Sequence, residues 1–166
     1  MIHSGNFIRC SLMVSFVLLL SYGTAQAPND RYACSEPNPR SICNASNTCG
    51  SASTPCTVDV KRDDYGASAT PGIPDAKGNS TFCVKAGTTI IWKSTQKNTG
   101  FLIDFGPSTP FGSEDAISGG TKRPASVMAR KAGCYKFSTG ACISGEIQGM
   151  CGTGQAEAIV VGAGSP

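Results

Sequence analysis

Residues 133–162, GCYKFSTGACISGEIQGMCGTGQAEAIVVG, decide the fold. Cys134 to Thr139 reads as a strand, and so does the apolar run Ala156 to Val161 that closes the segment. Between them the sequence predicts a glycine-rich loop holding Cys142, Met150 and Cys151. Upstream, Thr57 to Lys61 alternates apolar and polar residues, the mark of a half-buried strand. Thr81 to Lys85, the turn Ala86-Gly87, and Thr88 to Lys93 read as strand, tight turn, strand, with Ile90 and Trp92 inward. Phe101 to Phe105 and Ala125 to Ala129 are further strands. The Gly-, Pro- and Asp-rich stretch Arg62 to Ser80 reads as a long loop, and so does Ser108 to Gly120. No window sustains a 3.6-residue period, so helix content should be low. About seven short strands between Gly/Pro breakers imply an all-β, antiparallel sandwich.

The beginning of the chain reads as a secretory signal over residues 1–25. Arg9 precedes the apolar run Leu12 to Leu20, which is too short to span a bilayer, and small residues lead to Ala25. Removing it leaves about 140 residues, enough for one domain with a core. Arg9 is the only charge lost, so the formal net charge falls from +3 to +2. That near-neutral balance gives no case for nucleic acid, nor for a membrane surface after signal cleavage. The single histidine, His3, lies in the signal, so the mature chain would lack the usual general base and the commonest metal ligand.

Of the nine cysteines, Cys10 falls in the signal and eight remain: Cys34, Cys43, Cys49, Cys56, Cys83, Cys134, Cys142 and Cys151. An even count behind a signal predicts disulfides, although eight cysteines allow on the order of 100 connectivities. Residues 26–55 are polar, carry the first three of these and run up to the fourth, and read as a Cys-rich N-terminal extension, with the sandwich over residues 56–166. The spacings of nine, six and seven in the extension are unlike the close pairs of zinc sites.

Cys142 and Met150 lie eight positions apart, between two strands. With Tyr135-x-Phe137, Gly149-Met150-x-Gly152, the closing strand Ala158 to Val161 and Val84-Lys-Ala-Gly-Thr88-x-Ile90-x-Trp92, they make this chain resemble the cupredoxins, the plastocyanin or blue copper protein family. The resemblance implies a Greek-key sandwich and covers Thr57 to Gly162. In that family the loop reads Cys-x-x-His-(x)4-Met, and a first histidine begins an earlier strand. Gly145 stands at the loop histidine here, and Gly100 at the earlier one. Of the four vestigial positions Gly100, Cys142, Gly145 and Met150, two are glycine. Type 1 copper needs two imidazoles and a thiolate with a weak thioether, so no intact metal site is expected. Phe137 and Cys142 are five apart, an odd number, which turns Cys142 away from the inward phase and gives that phase to Thr139. A bridge Cys142–Cys151 would pin the loop that copper pins in the family, and Cys83 and Cys134 would pair within the sandwich or with the extension.

The remaining signals are weaker. Asp63-Asp64 and Glu114-Asp115 read as solvated loop charges. Gly149-x-x-Gly152-x-Gly154 leads into a strand, so it lacks the helix N-terminus of a phosphate loop. Lys122-Arg123 and Arg130-Lys131 are too short for an interaction patch. Asn44-Ala-Ser46 and Asn79-Ser-Thr81 are glycosylation sequons if the source is eukaryotic. No paired-carboxylate motif supports a hydrolase, and no enzymatic activity is expected. The sequence is read as a secreted or periplasmic, disulfide-stabilised binding or structural protein with an unidentified partner and no cofactor. The alternative is a copper-binding or electron-transfer protein using atypical sulfur ligands.

Overall fold

The computed structural model describes residues 32–35, 38–64, 66–145 and 151–162. The signal segment and Met150 lie outside these residues. The described residues form nine strands: β1 (Cys56–Asp63), β2 (Gly66–Pro71), β3 (Phe82–Lys85), β4 (Thr89–Lys93), β5 (Thr99–Asp104), β6 (Ile117–Gly120), β7 (Ala125–Met128), β8 (Gly133–Ile143) and β9 (Cys151–Val161). They form a four-stranded sheet, ordered β2-β1-β4-β7, and a five-stranded sheet, ordered β3-β9-β8-β5-β6. Pro39–Ile42 is a single 3-10 turn, and among the described residues no helix is long and apolar enough to cross a membrane.

The chain crosses between the sheets four times, after β2, β3, β4 and β6, and once more after β7. The sandwich is therefore the expected one, with two parallel pairings added, β1 with β4 and β3 with β9. Three stretches read as loop are strand. Residues 62–80 contain the end of β1 and all of β2, and 108–120 contains β6. Cys142 and Cys151 sit on β8 and β9 rather than on the loop between them. In each case a strand rich in Gly, Ser and Ala carries too few branched apolar residues for local composition to reveal it; tertiary pairing supplies what propensity does not.

Alternation places Val58 and Val60 of β1, Ile90 and Trp92 of β4, Ile103 of β5 and Phe137 of β8 in the core, all completely buried. Phe137 is its centre. Its ring lies 5.4 Å from Trp92, 4.9 Å from Phe105 and 6.5 Å from Phe82, centroid to centroid. Such contacts add about 0.5–1.5 kcal/mol each beyond burial.

At one corner the two sheets meet backbone to backbone. A β-carbon on Gly154 would fall on the carbonyl oxygen of Ala67, and one on Gly152 on that of Gly66. The Gly152-Thr153-Gly154 run thus lets β2 close against β9, which explains the glycines that superficially resemble a phosphate loop.

A second, smaller cluster lies outside the five-stranded sheet. Cys83, Ile159 and Val161 are buried there under Ile42, Cys43 and Cys134. The extension covers this patch and is fastened by Cys43–Cys83 and Cys34–Cys134, while Cys49–Cys56 closes a short loop at the start of β1. Cys49 N donates to Cys83 O at 2.8 Å, and Cys83 N to Asn47 O at 2.9 Å. The extension thereby occupies the free edge of β3, which would otherwise offer unpaired amides.

Candidate functional site

Of the four vestigial positions, Gly100 and Cys142 lie together on one row across the five-stranded sheet, with Cys151 beside them, whereas Gly145 follows the end of β8. Gly120 of β6 faces Gly100 of β5, Gly100 faces Cys142 of β8, and Cys142 faces Cys151 of β9. Because side chains alternate, the neighbouring residues Phe101, Ala141 and Gly119 belong to the inner side of the sheet, and the Gly100–Cys142–Cys151 row lies on the solvent side. Burial agrees: Phe101 and Ala141 are buried, Gly100, Cys142 and Cys151 exposed. Thr139, two residues after Phe137 and so in the inward phase, is 1% exposed, and its hydroxyl has no hydrogen-bond partner among the described residues.

Cys142 and Cys151 are bonded to each other, with Cα atoms 4.0 Å apart. They are directly opposed in an antiparallel pair, at the separation where side chains approach most closely. The bridge thus ties the last residues of β8 to the first of β9.

A groove of about 730 Å³ opens beside the bridge, lined by Lys97, Asn98, Gly100, Thr121, Lys122 and both bridged cysteines among others. Its walls are loops held by specific bonds. Thr121 N donates to Thr99 O at 2.9 Å, and Thr121 Oγ1 donates to Gln96 O at 2.6 Å. Ser144 N donates to Asn98 O at 3.0 Å, joining the end of β8 to the β4–β5 loop. Gln96 anchors that loop to β1: its Oε1 accepts from Arg62 N at 2.7 Å and its Nε2 donates to Arg62 O at 3.0 Å. A β-carbon on Gly100 would have nothing nearer than 3.9 Å, so glycine there is not a steric necessity and leaves the groove floor bare. Gly145 is different: its φ of +93° suits glycine and disfavours any other residue, histidine included.

Two ammonium groups, Lys97 and Lys122, flank the groove, and none of the described lining residues is acidic. Neither lysine has an ion-pair partner among the described residues. Sequence reasoning set Lys122 aside as part of a two-residue basic run and had no signal for Lys97, Gln96 or Thr121; only the fold brings the β4–β5 loop and the β6–β7 turn together. Elsewhere, sulfur atoms of Cys34 and Cys134 and a Glu157 oxygen lie within 4.8 Å of one another, but the sulfurs are joined as a disulfide and Glu157 accepts a 2.7 Å hydrogen bond from Ser35 N.

The chain is similar to amicyanin. An oxidised point mutant of amicyanin matches at 13% identity and a TM-score of 0.36, over 70% of this chain and 95% of that one. A second amicyanin mutant, with Cu(I), matches at 15% identity and a TM-score of 0.36 over the same shares. No protein-family model matches the sequence, and no curated protein matches it.

Proposed function

We propose that this is a secreted, disulfide-stabilised, cupredoxin-like binding or structural protein without a type 1 copper site, and that it meets its partner at the lysine-flanked groove. One observation carries the reading: Cys142, the cysteine that the sequence resemblance puts at the copper thiolate, is covalently occupied by Cys151 on the solvent face, with Gly100 beside it. A disulfide sulfur is not a thiolate, and glycine offers no side-chain donor, so this donor set does not fit a type 1 centre. The bridge holds the ends of β8 and β9 together where the family uses the metal. Four disulfides accord with an oxidising compartment. The groove offers two cations on an open floor, which suits noncovalent contact with an anionic partner.

Titration of the purified, unreduced protein with Cu(II), followed by visible absorption, tests the central point. No intense charge-transfer band is expected. A band that saturates at one copper per chain overturns the reading in favour of a copper protein with atypical sulfur ligands.

A further inference from the structure

Two N-glycosylation sequons lie in the described residues, and their asparagines are used in opposite ways. Asn79 is a structural link. Its Oδ1 accepts from Ala69 N at 3.0 Å and its Nδ2 donates to Ala67 O at 3.2 Å, while its own backbone N donates to Ala69 O at 2.9 Å. The side chain thus pairs with the outer edge of β2 as a strand would. Its Nδ2 also lies 3.1 Å from where a β-carbon on Gly154 would be, so β9 closes off the other side. A sugar on this nitrogen would have to displace β2 or β9.

Asn44 is the reverse. It is exposed, in the extension between the bridged Cys43 and Cys49. Its Oδ1 accepts from Ser46 N at 2.9 Å and Ser46 Oγ at 2.5 Å, so the sequon's serine hydroxyl rests on the amide that would be modified. Nδ2 itself makes only a 3.4 Å contact with Ile42 O, too long to contribute much. The turn is held through other atoms, Asn44 O accepting from Thr48 Oγ1 at 2.6 Å and Asn44 N donating to Asn47 Oδ1 at 2.8 Å. Substituting one Nδ2 hydrogen therefore leaves the local fold intact.

We infer that Asn44 carries an N-linked glycan in the secreted protein and that Asn79 does not. The inference rests on the secretory reading. Its chemistry is transfer of an oligosaccharide from a lipid diphosphate donor: Asn44 Nδ2 bonds to the anomeric carbon, the bond from that carbon to the diphosphate oxygen breaks, the lipid diphosphate leaves, and Nδ2 gives up one proton. Attachment takes place on the emerging chain, and the folded state then selects, because a chain with sugar on Asn79 cannot close β2 against β9. The glycan also places a hydrophilic shield over the extension, at a different part of the five-stranded sheet from the groove.

The full chain is expressed in a eukaryotic secretory host, and the protein in the medium is analysed by intact mass and glycopeptide mapping, with and without peptide:N-glycanase. One glycan per chain is expected, on Asn44, and Asn44→Gln or Ser46→Ala should each abolish the mass shift. Asn79→Gln should leave that shift unchanged while lowering the melting temperature. Secreted protein with bare Asn44, or with sugar on Asn79, overturns the inference alone. Protein that reaches no extracellular medium overturns the inference together with the secretory reading beneath it.

Discussion

Removing the Cys142–Cys151 bridge tests what it contributes to the fold. The two sulfurs are exposed and the strands are already paired in register on the inner side of the bridge, Ala141 opposite Gly152 and Gly140 opposite Thr153. The double substitution C142S/C151S therefore deletes little packing and acts mainly on the unfolded chain. For a sequence separation of 9, the loop-entropy relation gives about 2.6 kcal/mol. With an unfolding entropy of about 2.1 cal/mol/K per residue over about 140 residues, that is a fall in melting temperature of about 9 °C. Cys43–Cys83, with a separation of 40, gives about 3.9 kcal/mol by the same relation, and Cys83 is completely buried besides. The order is thus fixed in advance: C43S/C83S should melt lower than C142S/C151S, which should melt below the parent. Thermal unfolding followed by far-ultraviolet circular dichroism, without reductant, reads all three. If C142S/C151S melts with the parent, or as low as C43S/C83S, the account of this bridge as the closure of a short loop on a prepaired hairpin is wrong.

Two further outcomes follow from other parts of the sandwich. Gly154→Ala should destabilise by about 3 kcal/mol or more in denaturant titrations, because its β-carbon meets the Ala67 backbone rather than a movable side chain; an unchanged midpoint would mean that the β2–β9 corner is looser than described. Asp59 links β1 to the segment after β4, its Oδ1 accepting from Thr95 N at 2.8 Å and its Oδ2 from Thr95 Oγ1 at 2.6 Å, with Lys61 Nζ at 3.2 Å from Oδ2. Burial works against its charged form, but the Thr95 hydrogen bonds and Lys61 outweigh that and hold the carboxyl below its ordinary value. A group lowered on folding stabilises fully above its unfolded pKa of about 3.9, and the contribution is lost as pH falls through the lower folded value. Melting temperature should therefore drop more steeply below about pH 4 in the parent than in Asp59→Asn; parallel acid limbs would refute the assignment.

The strands with branched or aromatic residues at alternate positions were legible. Val58 and Val60, Ile90 and Trp92, and Phe137 all face the core as their spacing requires. The strands built from glycine, serine and alanine were not, because β2, β6 and the ends of β8 and β9 owe their form to pairing and to close backbone approach rather than to local preference. The alternation that sends Phe137 inward and Cys142 outward was readable from an odd spacing alone. The groove was not readable at all: Lys97, Thr121 and Lys122 come from separate connections, and their proximity exists only after β5 has paired with β6. The two sequons, Asn44-Ala-Ser46 and Asn79-Ser-Thr81, both match the acceptor motif, and what the motif does not show is which amide nitrogen the fold has already engaged.

β9 is the last of the described strands in chain order, yet it lies inside its sheet, parallel to β3 on one side and antiparallel to β8 on the other. The inner arrangement of the larger sheet therefore waits for β9, and Cys34 must find Cys134 across a separation of 100 residues. Before β3 is made, Cys34, Cys43, Cys49 and Cys56 have no native partner but one another, and just one of their native bridges, Cys49–Cys56, can form among them. The native set of bridges in the extension is therefore completed from outside it, by cysteines that β3 and β8 bring.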